Sequence, residues 1–220
     1  MAGLIRAVGA LLLPVLLWPL GALPQPAIAL LERRSLTAAE LGATGPFTHR
    51  LHLTVVHVEG SGWTRERALE ALRETAAIIG QCGVILAGAQ WLTLSAPPRY
   101  LDFSAPAARE LALRYPVPRP AIYLVRDTRS RPAFDAEAIG RGNSRTRPEL
   151  ADTVWITAAT RDAGIVLAHE LAHVLMDSGE HSDAPGNLMR DETSADSRAL
   201  SGAQCEHLRE TGRGNGLLRR

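Results

Sequence analysis

The sequence predicts an α+β fold in which helices pack on a mainly parallel sheet. Stretches with the apolar spacing of strands alternate along the chain with stretches that have the 3.6-residue spacing of helices, and this order favours parallel strands. The composition, with 46% hydrophobic and 21% charged residues, is that of a chain able to form a core. A formal net charge of +1 gives no indication of a nucleic-acid partner.

The first 29 residues have the pattern of a secretory signal peptide. Arg6 is followed by an uncharged run rich in Leu, Ala and Pro, and Ala27 and Ala29 supply the small residues that precede a cleavage site. We expect cleavage after Ala29. An uncleaved membrane anchor is the alternative, although Pro14 and Pro19 disfavour a straight spanning helix. In both cases the domain is expected to be secreted or periplasmic, and a membrane is a partner only of the uncleaved form.

The predicted domain covers residues 47–220 and follows a linker at residues 30–46. Residues 49–59 alternate apolar and polar side chains, which is typical of a strand. Residues 64–81 have the apolar spacing of a helix. Gly83 is expected to end this helix, because glycine readily adopts the left-handed conformation of a helix C-cap.

Prolines bound the next two elements. An apolar strand is predicted at residues 84–94, before the Pro97–Pro98 pair. A short helix is predicted at residues 105–115, and Pro116 and Pro118 stop it.

The middle of the chain is predicted to alternate between buried strands and an exposed loop. Residues 121–126 and 153–157 are strongly apolar and predict strands. Residues 127–150 are rich in Arg, Gly, Asn and Pro and predict a long surface loop, with an edge strand near residues 136–140. The arginines of this region are expected to be solvated or, alternatively, to favour acidic substrates.

An apolar helix predicted at residues 162–177 carries the sequence His169-Glu170-Leu171-Ala172-His173. Histidines four residues apart on a helix are separated by about 40° of rotation and about 6 Å of rise, so both imidazoles can bind one zinc ion. Glu170 is turned about 100° from His169 and can take a proton from a water beside the metal, as a general base does. Unpaired polar groups on a buried helix are costly, which argues against a purely structural role.

This region resembles the metzincin clan of zinc proteases, and among them the matrixins. The resemblance covers residues 167–189 and rests on a set of residues shared with that family: His169, Glu170, His173, Gly179, His181, Leu188 and Met189. It implies a zincin-like α+β fold, with a twisted, mostly parallel mixed sheet, an antiparallel edge strand along the substrate cleft, an active-site helix and a C-terminal helix. It also assigns Met189 to a tight turn beneath the metal.

His181 is the expected third zinc ligand, delivered after Gly179 reverses the chain. Gly179 and His181 are six and eight residues after His173, farther than in the family, so we expect the helix to run about half a turn longer. Glu192 is the alternative, because eighteen residues separate it from His173, as in gluzincins, and it opens a last predicted helix at residues 192–211. Two other acidic residues remain minor candidates: Asp177 and Asp183.

The two cysteines of the chain, Cys82 and Cys205, are expected to form a disulfide. Cysteines in an exported protein pair more often than they stay free, and both lie near predicted helix ends. The bond would tie the helix after the first strand to the C-terminal helix.

The sequence therefore predicts an exported zinc endopeptidase acting on proteins or peptides. Zinc would bind His169, His173 and His181, and Glu170 would act as general base on the attacking water. The alternatives are a gluzincin-type peptidase that uses Glu192 and a zinc-stabilised binding module without catalysis. The retained Glu170 argues against the binding module, because structural zinc needs four protein ligands and no base.

Overall fold

A seven-stranded mixed sheet organises this computed structural model, which describes residues 27–129 and 135–220. The signal-peptide prediction lies outside the described residues except for its last three positions. The strands are β1 (Ala29–Thr37), β2 (His49–Val58), β3 (Val84–Ser95), β4 (Asp102–Phe103), β5 (Ala121–Val125), β6 (Asp127–Thr128), β7 (Ala136–Ile139), β8 (Thr153–Thr157) and β9 (Leu218–Arg219). The α-helices are α1 (Arg65–Gly80), α2 (Ala105–Arg114), α3 (Ala163–Met176) and α4 (Gly202–Gly214).

The strand order is β1-β3-β2-β5-β8-β7, and the four central strands are parallel. The outer strands β1 and β7 run antiparallel to their neighbours, and β9 adds antiparallel pairing to the start of β2. β4 and β6 form a separate two-stranded sheet. This architecture confirms the predicted α+β fold with a mostly parallel mixed sheet.

Helices cover both faces of the sheet, as a sheet with buried parallel strands requires. α1, α3 and α4 pack on one face, where Leu51, Leu53 and Val55 of β2 contribute to the core. α2 packs on the other face, against Val56 and Val58. α3, which carries the histidine motif, therefore lies against the sheet and beside the edge strand β7.

The prediction that residues 30–46 form a linker was wrong for residues 30–37. These residues form β1, which pairs with β3 along its whole length, and Leu36 is buried. The turn that follows also enters the core, where Leu41 is fully buried. The composition suggested a linker because most β1 side chains are exposed, so an edge strand of this kind has little apolar pattern to recognise.

The prediction of a helix over residues 192–211 placed its start too early. α4 begins at Gly202, after Ser201 caps it by accepting a hydrogen bond from the Gln204 N–H. The Gln204 side chain in turn accepts a hydrogen bond from the Ser201 N–H, which completes a capping box. The segment before Ser201 is irregular, so Glu192 does not open a helix.

The predicted disulfide joins Cys82, just after α1, to Cys205 on α4. Gln81 reinforces the same junction, because its side chain donates to the Arg198 carbonyl and accepts from the Leu200 N–H. These contacts fix the segment that leads into α4 against the end of α1. Among the described residues, no helix is both long and apolar enough to cross a bilayer.

Candidate metal centre

α3 holds the two motif histidines where its apolar face meets the sheet. Ile165, Leu167 and Leu171 are buried in the core, and they fix the rotation of the helix about its axis. With that rotation fixed, His169 is buried and His173 is half-buried on the side that faces the cleft. The four-residue spacing places both rings on one side of the helix, as predicted.

The end of α3 differs from the prediction, because Asp177 and not Gly179 takes the left-handed conformation. Asp177 has φ 46°, whereas Gly179 is outside the positive-φ region. The Asp177 N–H donates to the Val174 carbonyl and the Ser178 N–H to the His173 carbonyl, which is a Schellman arrangement. A left-handed aspartate costs about 1–2 kcal/mol. Its Oδ1 compensates in part by accepting a 2.9 Å hydrogen bond from the Gly142 N–H.

The chain reversal brings His181 back to the two helix histidines. The His173 Nε2 atom lies 2.9 Å from His169 Nε2 and 3.2 Å from His181 Nε2. One ligand atom from each ring lies within 4.8 Å of the others. Tetrahedral zinc with Zn–N bonds of 2.0–2.1 Å holds its nitrogens about 3.3 Å apart, so the observed separations fit such an ion.

Hydrogen bonds from the opposite ring nitrogens fix which atoms face the centre. His169 Nδ1 donates to the Leu188 carbonyl at 2.7 Å, and His173 Nδ1 donates to the Ser178 carbonyl at 2.6 Å. A carbonyl oxygen only accepts, so both Nδ1 atoms carry the proton and the Nε2 lone pairs face the centre. His181 Nδ1 lies 3.6 Å from the Asp191 carboxylate. Converging lone pairs repel one another unless a cation lies between them.

Burial keeps the helix histidines neutral. Desolvation, and then the neighbouring His169, lower the pKa of His173 to about 4, while desolvation lowers the pKa of His169. Metal ligation requires the unprotonated ring. At neutral pH both rings are therefore ready to bind a cation.

The turn that contains Met189 supports the centre from below. Leu188 and Met189 are buried against the core residues of α3, and the Leu188 carbonyl is the acceptor for His169. Asn187 fixes this turn, because its side chain accepts from the Met189 N–H at 2.9 Å. The Asn187 amide also exchanges two hydrogen bonds with Gln204 at the start of α4.

Glu170 lies between the histidines and the edge strand. The Ala138 N–H of β7 hydrogen-bonds its carboxylate, and the Asn143 amide donates to the Ala138 carbonyl at 3.5 Å. Burial, and then the nearby Glu137 charge, raise the pKa of Glu170 to about 7. A carboxyl that titrates near neutrality is well matched to both accepting and donating a proton.

An open cleft passes over this centre. It consists of two adjoining cavities of about 420 and 710 Å³. The smaller one extends toward Gly140 and Asp177, and the larger one toward Phe103 and Arg147. Both are lined by Ala138, Asn143, Glu170, His173 and His181.

Comparison with known proteins gives a structural match only. No family model matches the sequence, and no curated protein matches it. Among solved structures, the chain is similar to metalloproteinase-II from Bacteroides fragilis, with a TM-score of 0.51 and 13% sequence identity. The match covers 79% of this chain and 60% of that one, so the chain spans well under two thirds of its neighbour's length.

The chain has the fold of this metalloproteinase, which we call the metalloprotease fold. This likeness covers the overall fold and does not by itself assign a role to any side chain. The three-histidine cluster within the metalloprotease fold is the place where a metal ion fits.

The alternative third ligands lie elsewhere. Glu192 is exposed and does not belong to the cluster of potential ligands among the described residues. Asp183 is exposed as well, and the Asp177 carboxylate is bound to the Gly142 N–H. The structure thus brings His181, and none of these acidic residues, to the two helix histidines.

Three residues of the cleft were missing from the sequence-based site, namely Glu137, Ala138 and Asn143. All lie on β7 or in the loop after it. The predicted edge strand pointed to this region, but only the pairing of β7 with β8 shows which of its residues face α3.

Proposed function

We propose that this chain is an exported zinc-dependent endopeptidase that cleaves proteins or peptides. The main observation in its support is that three imidazole Nε2 atoms converge beside the carboxylate of Glu170 in an open cleft. Three histidines with one open position match catalytic zinc, whereas structural zinc has four protein ligands.

His169, His173 and His181 would hold the ion. When bound there, zinc supplies a Lewis acid that polarises a carbonyl oxygen and lowers the pKa of a water. The Nδ1 hydrogen bonds of His169 and His173 keep both rings in the orientation that binding requires.

Glu170 performs the proton transfer. Its carboxylate accepts a proton from the attacking water and later donates that proton to the amine of the leaving product. The Ala138 N–H positions this carboxylate, and the surrounding core excludes bulk water from its inner side.

β7 is the proposed docking strand for the substrate. Among the described residues, β7 pairs with β8 on one side only. On its other side the Ala138 N–H and carbonyl face the cleft, where Glu170 and Asn143 bond them. An extended peptide can add to such an edge through backbone hydrogen bonds. A peptide bound in this way would have one of its backbone amides next to Glu170.

Zinc content and peptide cleavage together test the proposal. The purified protein should bind about one zinc ion per chain and cleave members of a random peptide library, and a chelator should remove both properties. His169→Ala should lose the zinc, since two ligands make a poor site. Zinc binding without any cleavage would support the non-catalytic binding module, and an unchanged zinc content in His169→Ala would refute the site.

A further inference from the structure

The arginines between residues 126 and 147 differ in how they are paired. Arg126 and Arg129 both bind the carboxylate of Asp102, and Arg141 binds that of Asp152. These three hold loops together, and their charges are compensated. They are therefore poor candidates for binding a substrate.

Arg147 differs from them in position and in pairing. It is half-buried and lines the 710 Å³ cavity that also contains the three histidines and Glu170. Within the part of the chain that the structure describes, its side chain makes no hydrogen bond and no ion pair. Its charge acts on Glu137 and Glu149, but neither forms an ion pair with it, and Glu149 is paired with Arg109.

A half-buried guanidinium that forms no ion pair with any described residue favours an anionic ligand. Guanidinium presents parallel N–H donors that match a carboxylate in a bidentate geometry. A ligand carboxylate in this cavity would give Arg147 an ion-pair partner, as Asp102 and Asp152 do for the other arginines.

We propose that Arg147 selects substrates that carry a glutamate or aspartate side chain close to the scissile bond. This inference rests on the proposed peptidase function and deepens it by naming the substrate class. The peptide would lie along β7 with its reactive amide beside Glu170. One of its side chains would then enter the cavity and meet Arg147.

Glu137 and Asp191 are the competing determinants, because both line the same cavity and would favour basic side chains. Burial raises the pKa of Glu137, which disfavours its charged form, and the Asp191 carboxylate lies 3.6 Å from His181 Nδ1. Arg147 has no ion-pair partner among the described residues, so its guanidinium can bind a ligand carboxylate. The balance of the cavity therefore favours an acidic side chain.

Matched fluorogenic peptides test this selectivity. They differ at one position flanking the cleavage site, which carries Glu, Gln or Lys. We expect the native protein to cleave the Glu peptide with a kcat/KM about tenfold to a hundredfold above that of the Gln peptide, the range of a charge-assisted hydrogen bond. Arg147→Gln should remove this preference, Arg147→Lys should keep part of it and Arg147→Glu should reverse it toward Lys.

Arg145→Ala is the control, since Arg145 is exposed and does not line the cavity. This variant should keep the native preference. An equal preference in native protein and Arg147→Gln, or a native preference for Lys, overturns the proposal.

Binding of the same peptides to zinc-loaded Glu170→Gln separates this proposal from the catalytic one. Fluorescence anisotropy should show the same order of affinities without turnover. If native protein cleaves nothing but the Glu peptide still binds best through Arg147, the peptidase function fails and the acidic selectivity stands. If all three peptides bind equally, the selectivity fails.

Discussion

Single residues around the centre carry two interactions each. His169 and His173 donate through Nδ1 to backbone carbonyls and present Nε2 to the proposed ion. The Leu188 carbonyl that receives the His169 bond comes from the turn beside Met189. Met189 is buried in the core, and its packing keeps in place the turn whose Leu188 carbonyl orients the His169 ring.

Glu170 should make the free energy of unfolding of the metal-free protein depend on pH. Its carboxyl is protonated in the folded chain up to pH about 7 but ionises near 4.5 when unfolded, so stability is lost as the pH rises between these values. Glu170→Gln should avoid this loss. Relative to the native protein, chelator-treated Glu170→Gln should become more stable by up to about 3 kcal/mol between pH 4 and pH 8.

Urea unfolding of both chelator-treated proteins at the two pH values measures the difference. Other titrating groups, such as His173, are common to both proteins and cancel. A stability difference that does not change with pH would contradict the burial of this carboxyl.

The third ligand separates the two peptidase classes. His181→Ala should weaken zinc binding by orders of magnitude, because the Nε2 of His181 lies 3.2 Å from that of His173. Glu192→Ala should leave the affinity within about twofold, because Glu192 is exposed and outside the cluster. Competition with a chromophoric chelator measures both affinities, and the reverse result would establish the gluzincin arrangement.

At the scale of elements, strong periodicity gave correct predictions and weak periodicity did not. α3 and β8 were predicted almost residue for residue, since each is largely apolar and buried. β1 was missed because its side chains are mostly exposed and its strand character comes from pairing with β3. The start of α4 was predicted too early because the residues before it are irregular. Gln81, from a distant part of the chain, holds two of them by hydrogen bonds.

The same limit applies to the site. The spacing of His169, Glu170 and His173 is a local property of one helix, so the sequence could reveal it. The contacts of Asp177 with Gly142 and of Glu170 with Ala138 join segments about 30 residues or more apart. No local pattern encodes such contacts. The sequence therefore predicted the left-handed residue at Gly179, whereas the structure has it at Asp177.

The disulfide between α1 and α4 should stabilise the fold substantially. It closes a loop with a sequence separation of 123, for which the chain-entropy estimate is about 4–5 kcal/mol. The double variant Cys82→Ala with Cys205→Ala should lose stability by up to this amount in urea unfolding. Reduction of the native protein is the matched control and should give a similar loss. Equal stability of the native and double-variant proteins would show that the bond is not formed.

At the scale of the whole molecule, β1 belongs to the folded domain, which therefore extends to the N-terminal side of residue 47. A chain starting at Leu30 should unfold cooperatively. A chain starting at Phe47 lacks β1 and the buried Leu36 and Leu41, and each lost leucine costs about 2–5 kcal/mol.

Thermal unfolding of the two chains tests this boundary. The shorter chain should have a Tm lower by 10 °C or more, or should fail to fold, given the scale of about 2–4 °C per kcal/mol for a domain of this size. Equal Tm values would restore the linker interpretation of residues 30–46.

The Glu170 carboxyl lies beside the three histidines of the proposed metal site, and Glu170→Gln separates its proposed catalytic role from metal binding. The most direct measurement is peptide hydrolysis by this variant after zinc loading, compared with the native protein at equal zinc content. The glutamine cannot accept the proton of the attacking water but leaves the three histidines in place. We predict an unchanged zinc content with kcat/KM reduced by about a thousandfold or more. Turnover close to that of the native protein would contradict the account.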